Sequence, residues 1–564
     1  MKTPFGSEHD NREDPAFAET FQAVKDRFFS RNPALWPCFH DPVFRSIIDF
    51  RQRHLVPSER VAAYPHGVPL QRQLQQDARI PDTYSRAGCR QDTMLAFIAA
   101  LSKDWENPSS VENVITMPCD PAIYGSMIGC LANANLVYKE YSEMAHEMEK
   151  CVIRQMATLA GYDPAEATGI FTQGGTFCNL YGYLMGIRKS LPETRKFGMG
   201  SVQDYRMINS LGGHYSNITN LSLLGVDIET KTIRIKVSEN NDIDLQDLES
   251  QMAACFQLKC RIPTIMLTMG TTDTFGVDQV KSVYELRNRL CERYEVPVKP
   301  HIHVDSAIGW TMLFFLSYDF GRNPLRINPK TLEGLQDNVR RFHELRYADS
   351  FTVDFHKWGY VPYVSSLVMF KHKGDLTCLE NDPENFCYFE RETQGHTHLQ
   401  STIECSRGAV GAFGAYAALQ HLAVEGYQIT IAHCLQNANY FRQRLGECEH
   451  VKVMAIQNQG PSVGFRLYCP GIDAESEYAY EYRIQDQVDY LERVQRNTQW
   501  HRTAFLNRGK VGLFTNWVEF IAHTDYDDKG RIRKLPGEKA VFMNPVTTRK
   551  EIDTFVDNLC RASP

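Results

Sequence analysis

The stretch Asp349-Ser-Phe-Thr-Val-Asp-Phe-His-Lys-Trp-Gly-Tyr-Val-Pro-Tyr-Val-Ser-Ser-Leu-Val-Met-Phe370 decides how the chain is read. A β-rich run over 350–355, with Asp354 its one acid, leads to the pair His356-Lys357. Gly359 and Pro362 mark a turn, and a second β-rich run covers 365–370. The pattern predicts two buried strands meeting at a lysine. A lysine held there loses hydration, which lowers the pKa of its ammonium and frees the amine to attack a carbonyl. In isolation the same pattern also describes a solvated lysine in a hairpin turn.

The upstream sequence supplies the context. A short apolar run at 169–172 is followed by Gln173-Gly174-Gly175-Thr176 and a helical run over 179–189. Strand, glycine turn and helix in that order aim unpaired backbone N–H groups at an anion. A second unit runs from a strand at 264–268 through Gly270-Thr271-Thr272 to a helix over 280–294, with Val283, Leu286, Leu290 and Tyr294 on one face. A third strand at 302–304 ends in Asp305-Ser306-Ala307. Alternating strands and helices predict a mainly parallel sheet flanked by helices, with ligands at the carboxyl ends of the strands, where Thr271, Asp305 and Lys357 fall.

The rest of the chain frames this α/β body. With 564 residues, 43% hydrophobic and 23% charged, it is large enough for two or three domains. The expected division is an N-terminal helical arm over 1–110, a large α/β domain over 111–400 and a small α+β domain over 401–564. In the arm, Phe17, Phe21, Val24 and Phe28 have helical spacing. A weakly polar helical stretch over 122–162 is expected to bury one face on a core or a partner subunit. A polar stretch over 371–400 is long for a compact domain, which predicts a functional loop. Strands are expected near 451–455 and 463–468, with helices around 478–496 and 550–559.

A net charge of -7 argues against nucleic acid as a partner. The polar N-terminus and the absence of an 18-residue apolar run predict a cytoplasmic protein without a membrane segment. The 16 cysteines are scattered and form no CxxC, so they read as reduced, mostly buried thiols. Gly460-Pro-Ser-Val-Gly464 matches a hydrolase nucleophile elbow, but a strand rather than a helix follows it. The pairs His301/His303 and His396/His398 have no third ligand at metal spacing and read as packing or surface residues, so no metal is expected.

A glycine turn at a helix start for a phosphate, an acid at a strand end for a ring nitrogen and a lysine for an aldehyde together make the kit for holding pyridoxal phosphate. The segments TQGGTFCNL (172–180), GGHYSN (212–217), GTTDTFGVD (270–278), HVDSAIG (303–309), DFHKWGYVPYVSS (354–366) and CSRG (405–408) resemble the fold-type I, group II pyridoxal-phosphate-dependent amino acid decarboxylases, the glutamate, aromatic amino acid and tyrosine decarboxylase group. The resemblance covers roughly residues 110–560. It implies that Lys357 bonds the cofactor aldehyde, Asp305 pairs with the ring nitrogen, His214 stacks on the ring and Ala307 packs on the other face. It further places Gly175, Thr176, Thr271 and Thr272 around the cofactor, with His356 at the phosphate or the lysine bond. A tyrosine on the loop after the lysine, here Tyr388, is implied as the group that reprotonates the substrate α-carbon. Relatives with phenylalanine there form aldehydes oxidatively. A homodimer is implied as well.

The chain departs from the family at Ser306, where alanine is usual. HKWGYVPYVSS is also similar to sphingosine-phosphate lyases and bacterial tyrosine decarboxylases, so carbon–carbon cleavage of a phosphorylated amino alcohol stands as an alternative to decarboxylation. A noncatalytic protein on the same fold is a further alternative, against which the joint presence of Lys357, Asp305 and His214 argues.

Overall fold

A computed structural model describes residues 11–53, 67–76, 89–137, 139–238, 240–380, 401–483, 488–509, 511–519 and 535–561. A seven-stranded sheet forms its centre, in the order β1 (Thr168–Thr172), β7 (Ser366–Phe370), β6 (Ser350–Asp354), β5 (His301–Asp305), β4 (Thr264–Thr268), β2 (Met207–Ser210) and β3 (Thr232–Ile235). The pairs joining β6, β5, β4, β2 and β3 are parallel, and β7 alone runs against its neighbours β6 and β1. β6 and β7 are therefore the two strands read from 350–370, with Lys357 in the turn between them. β1, β4, β5, β6 and β7 are buried along their whole length, as expected for strands covered on both faces.

Helix Gly175–Ser190 lies across one face of this sheet, and three glycines permit its closeness. A Cβ on Gly175 would stand 2.7 Å from Asp354 Oδ2, one on Gly182 2.3 Å from His303 Cγ, and one on Gly186 2.1 Å from Thr264 Oγ1. Residues 175, 182 and 186 share a helical face, so the helix backbone rests directly on the ends or middles of β6, β5 and β4 in turn. Helix Val280–Arg293 buries Val283, Leu286 and Leu290, the face predicted from its spacing.

A second, antiparallel sheet lies toward the C-terminus, in the order β10 (Asn516–Val518), β11 (Gly537–Val541), β9 (Ser462–Leu467) and β8 (Val451–Val453). Helix Arg549–Arg561 packs on it through Ile552, Phe555, Val556 and Leu559. Between the sheets runs the helical stretch Val410–Gly446, broken at Ala423, where φ is 51°. The N-terminal helix Pro15–Phe28 is capped by Asp14 and buries Phe17, Phe21 and Phe28 in the main core.

Three expectations need correction. The helical stretch over 122–162 is three helices, Asp120–Ala132, Lys139–Ser142 and Met144–Ala160, and Asn133, with φ 45°, ends the first. The charged helix expected at 478–496 belongs to two, Ala474–Arg483 and Val488–Arg508. The cysteines are not all free thiols: Cys448 and Cys560, 112 residues apart, form a disulfide that ties the closing helix to the end of the 410–446 helix. Ser462 opens β9, so the elbow-like GPSVG is a strand entry, as expected. His301 and His303 lie on one side of β5 and both contact Ser350 Oγ at 2.7 Å, which makes them buried hydrogen-bonding residues. Among the described residues no group of His, Cys, Asp and Glu could hold a metal, and no helix is long and apolar enough to cross a membrane. His396 and His398 lie outside the described residues, as does most of the 371–400 loop.

Gly182→Ala drives a methyl into the His303 ring and should destabilise the protein by about 1–3 kcal/mol. Gly200→Ala, with nothing within 4 Å of the added atom, should change little. Chemical denaturation of both variants checks the contrast.

Candidate active site

The carboxyl ends of β4, β5 and β6, the start of helix Gly175–Ser190 and the 211–216 turn surround a cavity of about 850 Å³, a size that suits a cofactor with a small substrate. Gly175, Thr176, His214, Thr271, Thr272, Asp305, Ala307, His356 and Lys357 all line it. These are the candidate residues of the sequence reading, brought together from five separate segments. Tyr388 lies outside the described residues.

On the floor, His301, His303 and Asp305 alternate onto one side of β5, the side that helix Gly175–Ser190 covers. Asn179, one turn into that helix, joins the layers. Its Nδ2 donates to Asp305 Oδ2 (2.8 Å), while its Oδ1 accepts from Thr352 Oγ1 (2.8 Å) and meets His303 Nε2 (3.2 Å). The Ala307 amide donates to Asp305 Oδ1 (3.2 Å). Asp305 is thus fixed through both oxygens with its carboxylate at the cavity. Burial holds His303 well below the usual histidine range, so it serves as a neutral hydrogen-bonding partner. Ser306 turns its hydroxyl to the Thr352 carbonyl (2.6 Å), so the replacement of alanine adds an inter-strand hydrogen bond.

The lysine differs from expectation. Lys357 Nζ is paired with Asp354 Oδ2 at 2.9 Å, and its pKa is raised: burial pulls it down, but Asp354 and Asp305 outweigh burial. The reading that lost hydration lowers it took account of one force and left out two carboxylates. Asp354 is fully buried. Burial alone would raise its pKa, yet Lys357, His356 and the Ser366 hydroxyl, which donates to Oδ1 at 2.5 Å, hold it below the ordinary carboxylate value.

His356 meets the Ser365 carbonyl (3.0 Å) and amide (3.2 Å) through Nδ1, stands 3.7 Å from Asp354 Oδ2 through Nε2, and lies against the Tyr363 ring at 4.0 Å. His214 is oriented by Ser216, whose hydroxyl lies 2.8 Å from Nδ1. Burial first, then Lys357, push the His214 pKa down against Asp305 and Asp354, leaving a neutral imidazole. The Thr271 hydroxyl accepts from the Gly276 amide (2.7 Å) and so holds its own turn at the cavity wall. The Thr272 carbonyl accepts from Ser462 of β9 (3.0 Å), which joins the wall to the second sheet.

Several lining residues escaped the sequence reading. Asn179 lies within the quoted TQGGTFCNL but carried no assigned role. Lys539 of β11 reaches the wall and pairs with Asp273 at 2.6 Å, and Glu519 lines the same side. Their distance in sequence from the glycine turns left no local signal. Asn113, Val114 and Ile115, just before helix Asp120–Ala132, also line the cavity. Tyr363 and Arg234 line it as well. Arg407 of the CSRG segment, by contrast, is a buried pin, donating to Glu149 (2.7 Å) and to the carbonyls of Phe171 and Leu136.

The donor set fits pyridoxal phosphate. The amides of Gly175 and Thr176, at the helix start after Gly174 with φ 118°, donate to no protein acceptor among the described residues and face the cavity, ready for a phosphate. Thr268 Oγ1, at the end of β4, is buried without a hydrogen-bond partner in the same wall. An amine and a fixed carboxylate stand in the same cavity, at Lys357 and Asp305, for the aldehyde and the ring nitrogen.

The comparisons with known proteins agree. A family model described as the pyridoxal-dependent decarboxylase conserved domain matches residues 91–468. The chain is 24% identical over 405 residues to an aspartate 1-decarboxylase of Aliivibrio fischeri (strain ATCC 700601 / ES114), covering 66% of this chain and 67% of that one. Among solved structures, mouse CSAD matches with a TM-score of 0.69 at 16% identity, over 93% of this chain and 98% of its own. Oryza sativa TDC with PLP and tryptamine matches at 0.66 and 16% identity, over 92% and 96%. These likenesses establish the fold-type I architecture, and the family match, spanning more than half of the chain, establishes the chemistry: this chain belongs to the pyridoxal-dependent decarboxylase family and catalyses the pyridoxal-phosphate-dependent decarboxylation of an amino acid.

Proposed function

We propose that the 850 Å³ cavity is the decarboxylation site, with Lys357 as the residue that bonds the cofactor and Asp305 as the partner of its ring nitrogen. The observation that carries this reading is the convergence of Lys357, Asp305, His214, Ala307 and the Gly175-Thr176 helix start around one cavity. Pyridoxal phosphate supplies the aldehyde that takes the substrate amine and the ring that accepts the electron pair when the carboxylate leaves. The chain supplies the rest. Asp305, held by Asn179 and the Ala307 amide, keeps a proton at the ring nitrogen. Neutral His214, positioned by Ser216, and Ala307 are assigned to the two faces of the ring, and the free amides of Gly175 and Thr176 to the phosphate. Thr271 and Thr272 shape the wall, and His356 braces the Lys357 turn. Tyr388 remains the proposed proton donor to the α-carbon.

We assign an acidic amino acid as the substrate class. Arg234 is the one guanidinium on the cavity wall and, among the described residues, makes no ion pair, which suits it to a substrate carboxylate. The similarity to an aspartate 1-decarboxylase supports the same class. CO₂ release across acidic, aromatic, basic and sulfur-containing amino acids tests it. Acidic substrates should lead, and a preference for aromatic ones would overturn the class while leaving the reaction in place.

Lys357→Ala should lose the covalent cofactor trapped by borohydride, together with turnover. Asp305→Asn should still bind cofactor yet lose at least a hundredfold in kcat, because a neutral amide stabilises the ring-nitrogen proton poorly. Near-parental turnover in that variant would remove Asp305 from this role.

Tyr388→Phe should leave CO₂ release largely intact but replace the amine product by aldehyde, ammonia and peroxide, since oxygen then intercepts the unprotonated carbon. Amine formation at the parent rate would leave Tyr388 as packing.

A cytoplasmic homodimer is part of this proposal. Tyr124, Ile128 and Leu131 lie at positions i, i+4 and i+7 of helix Asp120–Ala132 with Leu131 88% exposed, and Tyr363 and Val364 stand exposed beside the cavity. Sedimentation should give twice the chain mass, and a fully active monomer at low concentration would defeat the dimer.

A further inference from the structure

The Asp354 carboxylate lies against the first turn of helix Gly175–Ser190: a Cβ added to Gly175 would be 2.7 Å from Oδ2 and 2.9 Å from Oδ1. The positive end of the helix and the free amides of Gly175 and Thr176 are there, so this carboxylate is the protein's own anion beside the proposed phosphate position. The same Oδ2 holds the Lys357 ammonium at 2.9 Å. One buried acid therefore pairs with the amine that the cofactor needs and stands beside the anion-binding helix end, whose amides it leaves unbonded.

We propose that Asp354 is a positioning residue that parks Lys357 whenever the lysine is not bonded to the cofactor, and that by doing so it competes with the cofactor and limits how tightly it is held. This rests on the assignment of Lys357 above. Hydrolysis of the lysine–cofactor C=N bond consumes one water and returns the aldehyde and the amine. The amine takes one proton from solvent, and the resulting ammonium re-forms the pair with Asp354. In the loaded state the pair is lost and a buried carboxylate stands close to the phosphate end. Both changes favour release.

The charged and titratable groups around Asp354 are Lys357 and His356 from its own turn, Tyr363 from the same connection, Cys178 from the helix, Asp305 from β5 by way of Lys357, and His214 from the 211–216 turn. Lys357 stands nearest of them, and the Ser366 hydroxyl adds to Lys357 and His356 in keeping the carboxylate charged.

The test compares parent, Asp354→Asn, Lys357→Ala and the double variant as apoproteins, by pyridoxal phosphate titration and by competition with inorganic phosphate. Asp354→Asn should lower the cofactor Kd at least tenfold and slow cofactor loss on dialysis by a similar factor. Inorganic phosphate alone should bind it more tightly than it binds the parent. Lys357→Ala, which leaves the carboxylate unpartnered at the helix end, should bind phosphate more weakly than the parent. Adding Asp354→Asn to it should restore phosphate binding, a non-additive result expected only if the two side chains interact. An Asp354→Asn protein with parental far-UV circular dichroism and equal or weaker affinity for both ligands would overturn the proposal. If that variant does not fold, Ser366→Ala, which removes the donor that keeps Asp354 charged, should tighten cofactor binding in the same direction by a smaller factor, and unchanged affinity overturns the proposal. Borohydride-trapped cofactor in Lys357→Ala would instead show that the lysine assignment itself is wrong, a result separable from the other two.

Discussion

Direct contact between the backbone of helix Gly175–Ser190 and the central sheet is the constraint on which the rest of the site depends. Gly175, Gly182 and Gly186 remove the side chains that would hold the helix away from Asp354, His303 and Thr264. Only at that closeness can the short side chain of Asn179 reach Asp305, Thr352 and His303 together. The same closeness brings the helix start, with its unpaired amides, to the end of β6, where Lys357 emerges. An ordinary helix-to-sheet distance would separate the helix start from the lysine.

The central body was legible because its signals are local. β1, β4, β5 and β6 end in threonine or an acid, β7 ends before Lys371, and each of the five lies within a residue or two of the bounds read from the sequence. β2 and β3 were missed for physical reasons. Met207–Ser210 carries Asn209, whose amide oxygen accepts from the buried Tyr183 hydroxyl, so a polar residue sits where a pattern reader expects an apolar one. Thr232–Ile235 is an edge strand with only Ile235 buried, which gives it no apolar run. The break after Ala132 lacks glycine or proline, because asparagine also tolerates the left-handed backbone. The Cys448–Cys560 pairing spans 112 residues and leaves no trace in spacing.

At the site, the sequence showed which residues would meet but not the balance of forces among them. Asp354 stood in the quoted motif three residues before the lysine, and Asp305 was already assigned to the cofactor. Their joint effect on Lys357 depends on distances that a strand pattern does not carry, and two carboxylates acting on one buried ammonium reverse the shift that burial alone would give. His356 and Thr271 show the same gap: both line the cavity, yet their polar atoms are engaged with Ser365 and Gly276.

The proposed cofactor residues and the outer lining of the cavity come from different layers of the molecule. Lys357, Asp305 and Asn179 belong to the central sheet and the helix laid on it, where every neighbour is close-packed and a change in one position disturbs several others. Lys539 and Glu519 come from the second sheet or just beyond its β10, Arg234 from the edge strand β3, and Asn113–Ile115 from the segment that precedes helix Asp120–Ala132. The Asp273–Lys539 pair and the Ser462–Thr272 hydrogen bond hold that second sheet against the cavity wall, and both join parts far apart in sequence. Substitutions in the peripheral layer can alter the wall without touching Asn179 or the glycine contacts. Such an arrangement would let the proposed cofactor residues stay fixed while the outer wall of the cavity varies.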